Sequence, residues 1–444
     1  MNLSMKNALV LVACCGVLLI SGCKGKSTPY YSISVTVSGM VGSGLVLQNN
    51  NIDSLSLSKN GVATFTSQLG NNASYAVTIL TPPSMPVQNC TLSNGTGLVA
   101  GANVNNITLV CAAPEFAYVA NSGGNTISTL AINQATGALS YEASLTVTGS
   151  TPVALALAPT GRYAYAINAG SNSVSAYLGN VTTGLLAVAG PAVTTNINAP
   201  VAVVVDGLSK YVYVVNAGNN SLAAYSINTS GVLGSLNAVG SYQTGNSPAA
   251  MATLTNSGVE YVYVANGGDN TISSYAVIAS SGALNSTGAP ASTPGTPGAM
   301  VAAPNGQFVY VLNTTTATIS AYAVNPANGT LTHSGTDIST AGITPVALAI
   351  SPASNLIYAI NSGSNTVAAF TVNGAVLSSV GVVATGNAPA AVSVDPSGTV
   401  LLVANKTDNS ISAYLITPGT GVLVMPAVVT QVGYAPAALL TATN

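Results

Sequence analysis

The residues that could carry acid–base or metal chemistry are few in this 444-residue chain. His333 is the only histidine and Arg162 the only arginine. A general base needs a partner within hydrogen-bond reach, and the Thr-His-Ser-Gly context supplies none, so His333 is interpreted as a solvated loop residue. Arg162 follows a Pro-Thr-Gly turn and is interpreted as structural or solvated. One histidine cannot build a multi-histidine site, so neither a metal nor another cofactor is expected.

Aspartates occur in two recurring contexts. Asp206 and Asp395 each end an apolar strand and lead into a turn, a role that aspartate often fills. The alternative is a carboxylate pair across a shared channel, but the equivalent positions in other units are uncharged, namely Ala158, Leu254, Ala303 and Ser351. Asp269 and Asp408 precede an asparagine in two loops. Two separated carboxylates without a dense acidic loop make a Ca²⁺ site the less favoured interpretation there.

Asparagine pairs with the spacing Asn-x3-Asn are the most regular polar feature. Their amides suit two roles that can coexist: they cap tight turns, and they offer a neutral rim that hydrogen-bonds an uncharged polymer such as a glycan or peptidoglycan. The second asparagine is missing once, where Ala317 stands. The candidate binding rim comprises Asn121, Asn125, Asn168, Asn172, Asn216, Asn220, Asn266, Asn270, Asn313, Asn361, Asn365, Asn405 and Asn409.

These asparagines belong to a sequence repeat. The first of each pair closes a Tyr-x-x-Asn strand (Leu402 replaces the tyrosine once), and the seven closing residues are 47, 48, 50, 47, 48 and 44 positions apart. A fixed period in this range is typical of a stacked or circular repeat. An apolar strand that begins with proline, such as Pro152 or Pro345, precedes the Tyr-x-x-Asn strand, and further strands follow it. Four short antiparallel strands per unit predict a propeller blade.

The two ends of the repeat complement each other. The first unit, around Tyr118, has no proline-initiated strand before it, and the last such strand, Pro436 to Leu440, has no Tyr-x-x-Asn strand after it. Joining the two fragments completes one blade and removes free sheet edges. The sequence therefore predicts an all-β fold in which residues 113–444 form seven blades closed by N- and C-terminal strands.

The pattern Tyr-Val-x-Asn, followed by x3-Asn-[Thr/Ser], resembles the YVTN-type repeat over residues 115–444. That repeat occurs in surface-layer and secreted propellers and in the seven-bladed lactonase-like family, which includes one form of 6-phosphogluconolactonase. The resemblance implies the propeller fold and, as one candidate activity, lactone hydrolysis. Lactone opening needs a base or metal-bound hydroxide and donors for the oxyanion. Because the inner strands are rich in Ala, Val, Leu and Met, no catalytic residue is assigned.

The N-terminal sequence indicates an export signal. Residues 1–22 contain a short apolar run, Ala8 to Ile20, and end just before Cys23. The segment Ile20-Ser-Gly-Cys23 resembles the bacterial lipobox. Cys23 is therefore expected to carry lipid, with residues 23–29 as a tether and the membrane as a partner through that anchor. Lys24 follows the cysteine, and the resemblance then implies the outer membrane.

Residues 30–112 alternate polar and apolar side chains between turn-forming residues, which predicts a small β-sandwich-like domain. Cys90 and Cys111 are expected to form a disulfide in an oxidising compartment, with two buried free thiols as the alternative. Only 4% of the residues are charged and the net charge is −2, so the chain has no basic face for nucleic acid.

Three functions remain open from the sequence. The first is a lipid-anchored propeller that binds or scaffolds at the bacterial cell envelope, with a glycan or an envelope protein as partner. The second is a structural surface protein without a specific ligand, and the third is an enzyme of lactonase type. The first two are favoured because a sugar-phosphate lactonase should gather ionisable groups around the central pocket. Three or more such groups converging there would favour the enzyme.

Overall fold

The computed structural model describes residues 29–84, 86–142, 145–235, 242–425 and 428–443. The predicted signal segment and the predicted lipidation site, Cys23, lie outside these ranges. Every element in the described ranges is a β-strand, which confirms the all-β fold. Within them, no helix is long and apolar enough to cross a membrane.

The first ten strands surround one apolar core that includes Ile33, Leu47 and Phe65. They form two four-stranded sheets, ordered β5-β2-β10-β8 and β4-β3-β7-β9, and a short β1-β6 pair. One feature not expected from the sequence is the parallel pairing of β2 with β10. The strands are β1 (Tyr30–Tyr31), β2 (Ile33–Ser38), β3 (Leu45–Asn49), β4 (Asp53–Leu57), β5 (Gly61–Thr64), β6 (Leu69–Gly70), β7 (Ser74–Thr81), β8 (Cys90–Ser93), β9 (Thr96–Leu98) and β10 (Val104–Cys111).

The predicted disulfide is present in this part of the chain. Cys90 and Cys111 are directly opposite each other in the antiparallel pair β8–β10, and their sulfur atoms are bonded at 2.00 Å. The bond fixes the last strand of the small domain just before the first strand of the next sheet.

The remaining strands form seven sheets of four or five strands, one for each repeat. Blade 1 contains β11 (Glu115–Asn121), β12 (Thr126–Ile132), β13 (Leu139–Tyr141) and β14 (Thr146–Val147); blade 2 contains β15 (Pro152–Leu157), β16 (Tyr163–Asn168), β17 (Ser173–Gly179) and β18 (Leu186–Val188); blade 3 contains β19 (Pro200–Val205), β20 (Tyr211–Asn216), β21 (Ser221–Ile227), β22 (Leu233–Ser235) and β23 (Tyr242–Gln243); blade 4 contains β24 (Pro248–Asn256), β25 (Val259–Asn266), β26 (Thr271–Val277), β27 (Leu284–Ser286) and β28 (Ala291–Ser292).

The other three blades have four strands each. Blade 5 contains β29 (Pro297–Ala302), β30 (Phe308–Asn313), β31 (Thr318–Val324) and β32 (Leu331–Ser339); blade 6 contains β33 (Pro345–Ile350), β34 (Leu356–Asn361), β35 (Thr366–Asn373) and β36 (Val376–Ala384); blade 7 contains β37 (Pro389–Val394), β38 (Val400–Asn405), β39 (Ser410–Leu415) and β40 (Val428–Gln431). The last strand, β41 (Pro436–Thr443), completes blade 1.

The predicted closure is confirmed. Strand β41 pairs antiparallel with β11, and Tyr118 lies opposite Leu440. The same strand also contacts the preceding blade, because the Thr441 hydroxyl donates to the Val394 carbonyl oxygen. The C-terminus is therefore the innermost strand of blade 1, and the ring has no open end.

The repeat tyrosines join neighbouring blades. In six of the seven blades the tyrosine of the Tyr-x-x-Asn strand is buried, and its hydroxyl donates to a glycine carbonyl in the next blade. Burial raises the pKa of Tyr310 to about 12, so this hydroxyl remains a donor at neutral pH. The six bonds are Tyr118–Gly184, Tyr165–Gly231, Tyr213–Gly282, Tyr263–Gly329, Tyr310–Gly374 and Tyr358–Gly421, at 2.7–3.3 Å.

The six accepting glycines all have positive φ, and five of them also have no room for a β-carbon. Gly282 has a φ of +71°, and a β-carbon there would lie 2.3 Å from Cδ1 of Tyr211. Any side chain would therefore be strained and would clash with the aromatic ring. This explains why a glycine opens the Gly-Ala-Leu segment of the repeat.

Candidate functional site

The two ends of each blade differ chemically. The loops between its second and third strands contain the Asn-x3-Asn pairs, and we call this end of the ring the Asn face. The loops between the first and second strands lie at the opposite end because adjacent strands are antiparallel. That end contains Asp206 and Asp395, and we call it the Asp face.

The first asparagine of each pair is not on the surface. All seven side chains are 0% exposed, and five donate from Nδ2 to two hydroxyls of the following strand, as Asn121 does to Thr126 and Ser128 at 3.2 and 2.9 Å. A strand-terminal side chain that turns inward is held by the blade and cannot contact a ligand. The rim interpretation is therefore corrected for Asn121, Asn168, Asn216, Asn266, Asn313, Asn361 and Asn405.

The second asparagine of each pair does reach the Asn face, where it is exposed or half-buried. All six have left-handed backbone, as does Ala317. In five of them Oδ1 accepts the N–H of the loop that enters the next blade at 2.8–2.9 Å; Asn125, for example, accepts from Thr151. Within the described ranges no hydrogen bond is recorded from the Nδ2 of Asn125, Asn172 or Asn409. The part of the predicted rim on the surface is Asn125, Asn172, Asn220, Asn270, Asn365 and Asn409.

Tyr434 belongs to the same surface, although nothing in the repeat pattern identified it. Its side chain is 66% exposed, and its ring lies over Gly123, where a β-carbon would come within 2.1 Å of Cδ1. The next residue, Ala435, donates its N–H to Oδ1 of Asn409 at 2.8 Å. An exposed aromatic ring therefore stands between the Asn125 and Asn409 loops.

Asp269 and Asp408 act as loop supports on the Asn face. Asp269 accepts the backbone N–H of Asn246 at 2.6 Å and its side-chain amide at 2.8 Å, and Asp408 binds Asn387 in the same way. These hydrogen bonds lower the pKa of both carboxyls. Among the described residues, no group of three or more His, Cys, Asp or Glu side chains could hold a metal ion.

The innermost strands around the central channel are β15, β19, β24, β29, β33, β37 and β41, and none of them contains an ionisable residue. Their side chains are small and apolar, with a few hydroxyls such as Ser393 and Thr441. These strands therefore provide neither a carboxylate or imidazole to act as a base nor an ammonium group to stabilise an oxyanion. The convergence of ionisable groups named above as favouring an enzyme is not found on these strands.

His333 was predicted to be a solvated loop residue; it is exposed, but the loop assignment was wrong. It lies on β32, the outermost strand of blade 5, where its Nε2 is 2.8 Å from Oδ1 of Asp337. Its ring also meets the edge of Tyr322, with ring centroids 5.3 Å apart. The error arose because nothing in the local pattern showed that the edge strand is nine residues long. The pair is partly exposed and far out along the blade.

The Asp face contains buried carboxyls that the sequence analysis did not single out. Glu115, the first residue of β11, is 2% exposed, and burial together with the neighbouring Asp395 carboxylate raises its pKa to about 8. Asp395 is 0% exposed and accepts the backbone N–H groups of Thr399 and Val400 at 2.7 and 2.8 Å. Glu115 is therefore mostly protonated at neutral pH, while Asp395 supports its turn. Glu260, which is half-buried, also belongs to this face.

Comparison with known proteins identifies the repeat. The sequence model of the family described as "Lactonase, 7-bladed beta-propeller" matches residues 106–206, 208–348 and 340–435. No curated protein sequence matches. Similar solved structures include a protein provisionally assigned as a 6-phosphogluconolactonase from Bacteroides uniformis, with a TM-score of 0.65, 21% identity, and coverage of 74% of this chain and 100% of that one.

Two further solved structures have the same fold. One, from Bacteroides fragilis, has the same provisional assignment, with a TM-score of 0.64, 19% identity, and coverage of 74% of this chain and 98% of that one. The other is a periplasmic gluconolactonase from Pseudomonas aeruginosa, with a TM-score of 0.62, 18% identity, and coverage of 74% and 99%. At these identities the likeness shows the fold alone.

Proposed function

The chain belongs to the seven-bladed β-propeller lactonase family, and from that premise we propose that it is a lipid-anchored propeller of the bacterial cell envelope that binds an uncharged glycan on its Asn face. The observation that carries this proposal is the group formed by Tyr434, Asn125 and Asn409. It combines the exposed ring of Tyr434 with the Nδ2 atoms of the two asparagines, which donate no hydrogen bond within the described part of the chain. The group lies beside a channel whose strands are uncharged.

The chemistry of this group suits a sugar. A pyranose ring has an apolar face, which packs against an aromatic ring, and hydroxyls that accept from amide N–H groups. The Oδ1 atoms of Asn125 and Asn409 are already bonded to the loops that enter the neighbouring blades. These bonds hold each amide in place, so less side-chain entropy is lost when a ligand binds.

The location in the envelope is part of the same proposal. It is supported by the Ile20-Ser-Gly-Cys23 segment and by the paired cysteines Cys90 and Cys111. One structurally similar protein is described as periplasmic. A lipid at Cys23 would hold the small domain close to the membrane, with the propeller beyond it.

A glycan array probed with residues 24–444 tests the binding proposal. We expect Tyr434→Ala to weaken binding roughly tenfold, since an aromatic contact is worth about 1 kcal/mol or more. Asn125→Asp with Asn409→Asp should weaken it further, because aspartate keeps the Oδ1 acceptor and removes the donors. Asn105→Asp with Asn106→Asp is the matched control, as both residues are exposed on the small domain and the charge change is equal. Equal losses in the two double variants, or no bound glycan, would contradict the proposal.

A lactone hydrolase is the second candidate, supported by the family match and by the names of the similar structures. Hydrolysis of glucono-δ-lactone and its 6-phosphate can be measured against the spontaneous rate. Acceleration above that rate, lost on unfolding, would make the channel catalytic despite its uncharged strands. Hydrolysis at the spontaneous rate would leave binding as the function.

A further inference from the structure

A cavity of about 250 Å³ opens on the Asp face between blades 3 and 4, on the opposite side of the ring from the proposed glycan surface. Its polar wall contains Asp206, Thr255 and Glu260, and its apolar wall contains Leu208, Val259 and Val277. Leu208 is 62% exposed and Val259 39% exposed. We call it the Asp206–Glu260 cavity.

Asp206 is the first sign that this cavity takes a ligand. It is 2% exposed, and its Oδ1 accepts the N–H groups of Lys210 and Tyr211, both at 2.6 Å. No hydrogen bond to its Oδ2 is recorded among the described residues. The equivalent Asp395 shows how this turn is normally completed, because its Oδ2 accepts the hydroxyls of Ser397 and Thr399.

The sequence explains the difference between the two turns. Leu208 and Lys210 stand in the blade 3 turn where Ser397 and Thr399 stand in the blade 7 turn. Neither Leu208 nor Lys210 has a side-chain hydroxyl that could replace the donors of Ser397 and Thr399. Asp206 lines the cavity, so its Oδ2 can accept a hydrogen bond from a donor that enters there.

Glu260 brings a second carboxyl to the same space. The Gly207 N–H donates to both of its oxygens, at 2.9 Å to Oε1 and 3.1 Å to Oε2. Burial and the nearby Asp206 raise the pKa of Glu260 to about 7. The other titratable groups close by do not neutralise the pair. No ion pair is recorded from Lys210, and the hydroxyls of Tyr211 and Tyr213 donate to the carbonyls of Ala279 and Gly282.

We propose that the Asp206–Glu260 cavity binds a small aliphatic ammonium ion. The ammonium group would donate to Oδ2 of Asp206 and to a Glu260 oxygen, and its three N–H groups suit two acceptors. The aliphatic chain would cover Leu208 and Val259, which are now in contact with water. The cavity is smaller than the sites that hold drug-sized ligands, which matches a short alkylamine.

Titration calorimetry of residues 24–444 with 1,5-diaminopentane and with pentylamine at pH 7 tests the proposal. Glu260 is about half protonated at this pH, so binding a cation should release up to about half a proton per site. Measuring the binding heat in two buffers with different ionisation enthalpies gives that number. 1-Pentanol, which has the same chain without the charge, should bind at least about tenfold more weakly.

Three substitutions complete the experiment. Glu260→Gln should weaken pentylamine binding at least about tenfold and abolish proton release. Asp206→Asn should weaken it similarly while keeping the Oδ1 acceptor for the turn. Asp269→Asn, which removes an acid from the Asn face, should change nothing. Three results would overturn the proposal. They are an affinity that the first two substitutions leave unaltered, binding without proton release, and no binding heat at an amine concentration of about 10 mM, which is above the dissociation constant of most weak ligands.

Discussion

Removal of β41 should unfold the whole ring and not only blade 1. The strand makes seven residue pairs with β11, from Glu115–Thr443 to Asn121–Pro436, and it also contacts β37 through Thr441. At about 1 kcal/mol for each backbone hydrogen bond, with the burial of Leu439, Leu440 and Ala442 in addition, its loss costs on the order of 5–10 kcal/mol. That is comparable with the total stability of a typical domain, about 5–15 kcal/mol.

The assay compares residues 24–444 with residues 24–435. The chain has no tryptophan and 20 tyrosines, so urea unfolding can be followed by tyrosine fluorescence and near-ultraviolet circular dichroism. We expect the parent to show a propeller transition that the truncated chain lacks in dilute buffer. A synthetic peptide of residues 434–444 should restore it by pairing with β11. Tyr434→Ala is the control, because the ring is exposed and its loss should leave the midpoint unchanged.

Hydrogen exchange gives the result that would refute this reasoning. If only residues 115–142 lose protection in the truncated chain while blades 2 to 7 keep theirs, the ring is a row of independent units. Closure would then be an architectural detail without an energetic role.

Three other predictions address the blade contacts, the buried acid and the anchor. In a urea titration, Tyr213→Phe should lower the free energy of unfolding by about 1 kcal/mol, because it leaves the Gly282 carbonyl without its donor. Tyr30 is exposed on the N-terminal strand, so Tyr30→Phe should have no effect in the same titration. The pKa of Glu115 is raised from 4.5 to about 8 in the folded state, so between these pH values the unfolded state binds fewer protons and stability falls as the pH rises. Glu115→Gln should flatten that decline in unfolding curves measured at pH 5, 7 and 9. An unchanged decline would show that the acid is not buried as described. Cys23→Ala should move the protein from the membrane fraction to the soluble fraction on cell fractionation, and retention in the membrane would remove the anchor from the proposed function.

The architecture was predictable because the sequence repeats once for each blade. Seven Tyr-x-x-Asn strands at nearly constant spacing, and complementary fragments at the two ends, determine both the blades and the β11–β41 pairing. The contacts of individual side chains were harder to predict. Asn121 and Asn125 look alike in the sequence, yet one points into the blade and the other reaches the surface. A pattern of residue types does not state on which side of a strand end a side chain falls.

The carboxyl contacts could not be predicted because they are remote in sequence. Glu115 and Asp395 are separated by nearly the whole propeller and meet only because the ring closes. Glu260 and Asp206 come from adjacent blades, and the first of them lies in a strand that otherwise follows the repeat. Detecting such pairs needs the register of each strand, which composition and periodicity leave undefined.

Leu402 gives one of the seven junctions a different character. Six blades are joined to the next by a tyrosine hydroxyl, but blade 7 presents this leucine toward blade 1, so this junction lacks that one hydrogen bond. This is also the junction that the growing chain completes last, when β41 arrives beside β11. The final strand brings its own replacements for the missing tyrosine bond, because Thr441 donates to the Val394 carbonyl oxygen and Ala435 donates to Oδ1 of Asn409. The last step of ring closure therefore supplies the polar contacts of this junction.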